Sequence, residues 1–191
     1  MGLQPKRDKT VSMKTWIIII LAILLIALLI PVVKYAPWIY FGRMQKKSYA
    51  NTYAIQNVGT GKDIRVKDVG VKDETEIILY THNEWECLTW EFIQLEDSTY
   101  LLKNLCTQKT FQPSSLPEQG VGLWQQSLGG SHLQYWEFIK QPNETSLIRL
   151  KDTELYLTAT SDEDNSPIIL MPKERSDKQL WKLIKQNPIY N

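Results

Sequence analysis

Cysteine and histidine are scarce in this chain, two of each in 191 residues. A four-ligand zinc site of Cys and His would need Cys87, Cys106, His82 and His132 together, and their spacing does not suit one. Phosphate cradles are lacking too: Gly59-Thr60-Gly61 reads as a turn, because no helical pattern follows it. No nucleophile elbow and no supported pair of catalytic carboxylates is present. The cluster Asp162-Glu163-Asp164 lacks the spaced ligands of a calcium loop and reads as solvated surface. No cofactor, no metal and no enzymatic activity are therefore expected. Basic excess is missing from most of the chain. Residues 1–47 carry eight Lys/Arg and one Asp, net +7, whereas residues 48–191 carry fourteen Lys/Arg against twenty Asp/Glu, net −6. Without a basic face the larger part is not expected to bind nucleic acid.

What is present starts with one apolar run. Trp16 to Val33 holds 18 uncharged residues and as a helix would extend roughly 27 Å, close to the hydrocarbon thickness of a bilayer. Lys6, Arg7, Lys9 and Lys14 precede it, Lys34 follows, and Tyr35, Trp38, Tyr40 and Phe41 suit the headgroup level. A cleaved leader fits less well: its apolar core is usually about 7–15 residues, and Pro37 after Ala36 would block cleavage. The expected organisation is a basic tail over 1–15, a transmembrane signal anchor over 16–34 in contact with the lipid bilayer, an aromatic and basic linker over 35–48, and a folded domain over 49–191. Both flanks of the run are basic. Cys87, Cys106 and the sequon Asn143-Glu144-Thr145 favour an extracytoplasmic domain, with Asn143 a candidate glycosylation site.

Helical periodicity is nearly absent from the domain. Short runs rich in Ile, Val, Tyr and Thr alternate with Gly, Pro, Asn and Asp, the pattern of an all-β fold. A repeat lies beneath them. Trp90-Glu91-Phe92-Ile93 recurs as Trp136-Glu137-Phe138-Ile139 and as Trp181-Lys182-Leu183-Ile184, with Trp spacings of 46 and 45. Thr52-Tyr53-Ala54-Ile55 matches Thr99-Tyr100-Leu101-Leu102 and Thr145-Ser146-Leu147-Ile148. Ile64, Phe111 and Leu157 keep the same offsets. Ile77-Ile78-Leu79-Tyr80 is matched to Val121-Gly122-Leu123-Trp124 and to Ile168-Ile169-Leu170-Met171. Three units, about 49–94, 95–140 and 141–191, each have four short strands. A unit this small cannot bury its own apolar face. Three can close a barrel and share a core, with Trp181–Ile184 expected to pair with the first strand, Thr52–Gln56.

Gln134-Tyr135-Trp136 and Gln179-Leu180-Trp181 are two complete Gln-x-Trp motifs, and Leu88-Thr89-Trp90 has lost the Gln. With the period, these motifs resemble the ricin-B-type β-trefoil family over about three-quarters of the chain. A membrane-tethered chain of this size with such a domain is also similar to the A and C subunits of cytolethal distending toxins. The resemblance implies a non-catalytic recognition module. It also implies that Trp90, Gln134, Trp136, Gln179 and Trp181 support the fold.

Family sugar sites pair an Asp after the second strand with an aromatic platform after the third, plus a polar group before the motif. A flat apolar surface and fixed polar groups are both needed to orient a sugar ring. In the first repeat Tyr80 is the expected platform, the Asp position falls near Lys67 with Asp68 one residue on, and His82, Asn83 and Glu84 are polar candidates. In the second, Trp124 is the platform, the Asp position falls in Gln112-Pro113-Ser114, and Gln125, Gln126 and His132 stand nearby. The third, with Met171 and Thr158-Ala159-Thr160, reads as inactive. Tyr80 and Trp124 pack beneath loops in the blander reading. The partner is then a glycan or, alternatively, a protein subunit docked on degenerate pockets. Finally, if Glu96 and Asp97 are the central residues of the turn after Trp90–Ile93, Cys87 falls opposite Cys106, at a distance suited to a disulfide.

Overall fold

The computed structural model describes residues 16–18, 20, 21, 24, 49–96 and 98–188. The chain divides into two units, Met1–Lys47 and Ser48–Asn191. In the first, the described residues are helical. Most of the expected anchor at 16–34, with the whole of the tail at 1–15 and of the linker at 35–48, lies outside the described residues. Among the described residues no helix is long and apolar enough to cross a membrane.

The second unit is all β. Its strands are β1 (Thr52–Asn57), β2 (Lys62–Val66), β3 (Ile77–Thr81), β4 (Thr89–Glu96), β5 (Thr99–Asn104), β6 (Thr110–Pro113), β7 (Leu123–Gln126), β8 (Tyr135–Lys140), β9 (Ser146–Leu150), β10 (Leu155–Ala159), β11 (Ile168–Pro172) and β12 (Leu180–Lys185). Six of them pair in a closed antiparallel ring, β1-β4-β5-β8-β9-β12 and back to β1. Closure comes from the expected pair of strands, with Ala54 opposite Ile184 and Asn57 opposite Trp181. The hairpins β2-β3, β6-β7 and β10-β11 cap one end. This is a β-trefoil.

The repeated Trp explains the closure. Trp90, Trp136 and Trp181 are at most 1% exposed. Each burial is worth roughly 4–6 kcal/mol as an upper bound from its apolar area. An indole N–H needs a partner when buried, and each finds the same one. Trp90 donates to the Ile64 carbonyl at 3.0 Å, Trp136 to that of Phe111 at 3.4 Å, and Trp181 to that of Leu157 at 3.1 Å. Every barrel strand that carries a motif Trp is thereby tied to its own hairpin. Ile55, Leu102 and Ile148 fill the barrel beside them.

The hairpins meet through backbone bonds at three equivalent residues. The Leu79 N–H donates to Ser166, that of Gln125 to Thr75, and that of Leu170 to Val121, at 2.7–2.9 Å. This corrects the matching of the second repeat. Thr110 pairs with Gln126 and Gln112 with Trp124, as Asp63 pairs with Tyr80 and Arg65 with Ile78. Leu123-Trp124-Gln125-Gln126 is therefore the counterpart of Ile77-Ile78-Leu79-Tyr80, two residues beyond the expected match. Tyr80, Gln126 and Met171 each lie ten residues before a motif Trp, a count that the hydrophobic pattern of the strand overrode.

Two of the three hairpin junctions also carry an ionic clasp. Asp164 accepts from Lys62 Nζ at 2.8 Å, and from the N–H and hydroxyl of Thr81 at 2.8 and 3.0 Å. Asp73 is its counterpart, bonded to Lys109 and to the Ser127 hydroxyl. At the third junction Leu155 and Pro172 stand opposite one another where Lys62 and Thr81 do in the first, so no such clasp forms.

The Cys87–Cys106 disulfide is not formed; both thiols are free. The register explains why. Glu96 pairs with Thr99, so the turn forms one residue later than expected; a bulge between Gln94 and Glu96 makes up only half of the resulting offset, and the ladder ends at Trp90 opposite Asn104. Cys87 lies instead in a 3-10 turn, Glu86–Leu88. Asn104 bridges the gap, donating to the Cys87 carbonyl at 3.0 Å and accepting from the Cys106 N–H at 3.1 Å. Burial, with Cys87 and Glu86 close by, pushes the Cys106 thiol up.

The hydrogen bond from Lys62, then those from Thr81, hold the Asp164 carboxyl below its ordinary pKa of 3.8. The folded state thus favours the ionised form. That stabilisation is present above the ordinary value and is lost as pH falls through the lower, folded value. Asp164→Asn should lower stability at pH 7 and flatten its dependence on pH below about 4, read by urea unfolding at each pH; an unchanged acid limb would refute the clasp.

Candidate functional site

The outer faces of the three hairpins are the candidate ligand surfaces. Alternation within each strand decides what faces out. In β2, Ile64 and Val66 enter the core, which leaves Asp63 and Arg65 on the other face, opposite Tyr80 and Ile78. In β6 and β7, Phe111 and Leu123 enter the core while Gln112 and Trp124 face out, directly opposite each other.

In two repeats the motif Gln ties this outer face to the loop behind it. Gln134 Nε2 donates to Gln112 Oε1 at 3.1 Å and to the Ser127 carbonyl at 3.0 Å, and Gln134 Oε1 accepts from the Gly129 N–H at 3.1 Å. Gln179 repeats the arrangement with Thr158 Oγ1 at 3.0 Å, the Pro172 carbonyl at 2.8 Å and the Glu174 N–H at 2.8 Å. The first repeat departs at the equivalent positions: Leu88 replaces the Gln, and Arg65 stands where the others have Gln112 and Thr158. Its loop is held from elsewhere. The buried Gln186 donates to the Asn83 carbonyl at 3.0 Å and accepts from the Thr89 hydroxyl.

These changes rearrange the first-repeat site. The Arg65 guanidinium sits 4.1 Å from the centre of the Tyr80 ring and 5.8 Å from that of Trp85. The two rings are 6.2 Å apart. Arg65, Val69, Trp85, Glu86, Cys87 and Cys106 line a cleft of about 260 Å³. Arg65, Trp85 and Glu86 are missing from the residues expected of this site. The signal for Arg65 was available, since it shares the offsets that relate Ile64 to Phe111 and Leu157; placing the polar position at Lys67 and Asp68 missed it. Asp68 is exposed on a turn with φ of 50° and does not line the cleft. His82 Nδ1 lies 2.7 Å from Oδ2 of the buried Asp63, whose Oδ1 accepts from Gln56 at 3.1 Å. Burial raises the Asp63 carboxyl, and the bond to His82 opposes the rise. Asn83 is half-buried, its carbonyl taken by Gln186.

In the second repeat Trp124 is half-buried, and among the described residues its ring stacks on no other. Gln125 does not reach the surface, contrary to expectation. It shares the face of Leu123 and is the counterpart of Leu79 in the cap, where it is fully buried and donates to the Gly70 and Lys72 carbonyls at 2.9 and 2.8 Å. His132 is exposed and touches the Tyr135 ring at 5.6 Å. Asn143 lies in an exposed turn with φ of 58°. Among the described residues no cluster of His, Cys, Asp and Glu is placed to hold a metal.

No family of known proteins and no curated protein matches the sequence. Solved structures do. A designed threefold-symmetric protein, ThreeFoil, superposes with a TM-score of 0.68 at 20% identity, over 70% of this chain and 98% of its own. A ricin B-like lectin from Macrolepiota procera, solved with lactose, gives 0.62 at 17% identity, over 70% and 94%. An exo-beta-1,3-galactanase from Clostridium thermocellum gives 0.68 at 21% identity over 71% of this chain, and the match spans 30% of the galactanase. At such identities the likeness establishes the β-trefoil fold.

Removing the Gln134 side chain strands the Gln112 amide and the Gly129 N–H. Gln134→Ala should cost about 1–3 kcal/mol in urea unfolding; a cost below about 0.5 kcal/mol would show that the tie to the outer face is not needed.

Proposed function

We propose that the trefoil is a non-catalytic carbohydrate-recognition module with degenerate sites, carried on a membrane anchor. The observation that carries this reading is the second-repeat face. Trp124 offers an apolar platform on which, among the described residues, no other ring stacks, directly opposite Gln112, whose amide is held by Gln134. A sugar ring stacked on Trp124 would find the Gln112 amide beside its hydroxyls. The likeness to ricin B-like lectins supports the reading at the level of fold. In the first repeat Tyr80 is covered by Arg65, so a neutral sugar has less open platform there. The third repeat offers Met171 and no aromatic platform.

The alternative is a trefoil that docks a partner subunit, as in a toxin-like or membrane-associated assembly. It is favoured by the barrel end away from the hairpins, an opening of about 470 Å³ walled by Tyr53, Phe92, Tyr100, Phe138 and Leu183. Phe138 lies 5.1 Å from Phe92 and 5.5 Å from Tyr100. In the third repeat Ser146 and Leu183 replace the Tyr and Phe of the other two, which leaves the mouth open on that side.

The full chain on a glycan array, beside Trp124→Ala and Tyr80→Ala, separates the two readings. We expect binding that Trp124→Ala weakens at least about tenfold, with the circular dichroism spectrum unchanged. Folded protein that binds no glycan would refute the lectin reading. The anchor at 16–34, with the trefoil outside the cytoplasm, predicts that the chain stays in the membrane pellet after alkaline carbonate extraction; release into the supernatant would refute it.

A further inference from the structure

The first repeat differs from the other two at three equivalent positions, and two of the changed residues, Arg65 and Trp85, line one cleft. Arg65 stands where the others have Gln112 and Thr158. Trp85 stands where Ser131 and Ser176 cap the following 3-10 turn through their hydroxyls, at 3.3 and 3.2 Å. Leu88 stands where Gln134 and Gln179 occupy the polar position with a hydrogen bond. The net exchange removes a neutral hydrogen-bonded network and installs a cation against two aromatic rings.

Among the described residues six of the domain's fourteen Lys and Arg side chains, Lys62, Lys67, Lys103, Lys109, Arg149 and Lys151, form ion pairs with carboxylates. Arg65 is not one of them, and it is set apart by lying over two aromatic rings. Its Nε is enclosed and has no hydrogen-bond partner. A guanidinium held over an aromatic ring is restricted in orientation, and its fork matches two oxygens of an oxyanion. At the other side of the cleft Glu86 accepts from the Tyr49 hydroxyl at 3.1 Å. Its carboxylate would repel an anion placed beside it and would accept hydrogen bonds from hydroxyls.

We propose that the first-repeat cleft binds an acidic glycan, with the oxyanion of the ligand on Arg65, its hydroxyls toward Glu86 and its apolar face toward Trp85. This rests on the carbohydrate-binding reading above and adds the ligand class. A free oxyanion lacks the hydroxyls and the ring that Glu86 and Trp85 would meet. Residues 48–191 carry a net −6, so long-range attraction does not bring the anion in, and selectivity comes from the contact with Arg65.

Titration calorimetry on the full chain tests this with four probes: the methyl glycoside of N-acetylneuraminic acid, the methyl ester of that glycoside, galactose 6-sulfate, and lactose. The free acid should bind at least about tenfold more tightly than its neutral ester, a comparison that needs no variant. Arg65→Gln should abolish that preference, and Arg65→Lys should restore it in part. Tighter binding of the sulfated sugar than of the carboxylate would assign the oxyanion as sulfate, still on Arg65. Equal affinity for acid and ester in the native chain, with galactose 6-sulfate no tighter than lactose, would overturn the proposal. So would an acid preference that survives Arg65→Gln. Lactose binding that depends on Trp124 without any acid preference would leave the lectin reading standing and remove this one. Acid binding without lactose binding would do the reverse for the second-repeat site, and no binding of any probe would remove both.

Discussion

The buried indole N–H of the motif Trp is the contact on which the rest of this domain depends. Three strands, β4, β8 and β12, carry it into the barrel, and each time it finds a carbonyl on the hairpin of its own repeat. A Trp so deep costs free energy unless its polar atom is satisfied. The carbonyl of Ile64, Phe111 or Leu157 satisfies it and fixes the hairpin over the barrel end. Since no single repeat covers its own apolar face, closure of the ring between β12 and β1 completes the core for all three.

Threefold placement of the core does not require threefold chemistry outside it. The clasp at Asp164 has a counterpart at Asp73 and none at the third junction. The tie from the motif Gln to the outer face is present in the second and third repeats and absent from the first. There Arg65, Trp85 and Leu88 change together, and Gln186 takes over the support of the loop. The outer faces are freed to diverge because the Trp–carbonyl bond, the buried strand faces and the backbone bonds between hairpins already hold the fold.

Several local errors of reading share one cause. Alternation shows which residues of a strand face together, but not which turn of the ladder a loop will produce. The β4-β5 turn forms one residue later than expected, and the bulge after Gln94 makes up only half of the offset. Cys87 and Cys106 then fall out of register, and Asn104 joins their segments. In the second repeat the apolar residues Val121 and Leu123 suggest a strand that starts early. Backbone bonding to the neighbouring hairpins places the strand two residues later, which makes Gln125 the counterpart of Leu79; a two-residue shift leaves every side chain on its own face, so Trp124 stays out.

The sequence by itself determined the all-β class, the threefold repeat, the three core Trp residues and the strand that closes the barrel. These follow from periodicity and from the need to bury apolar faces, both of which are written along the chain. The platform candidates Tyr80 and Trp124 were also legible, as aromatic residues in otherwise aliphatic strands. Only the tertiary structure decided that Arg65 lies on Tyr80 beside Trp85, that Gln125 is buried and that the two thiols are unbonded. Those outcomes depend on a bulge, on loop lengths and on hairpins from different repeats meeting at the cap, and such contacts between distant segments leave no periodic mark in the sequence.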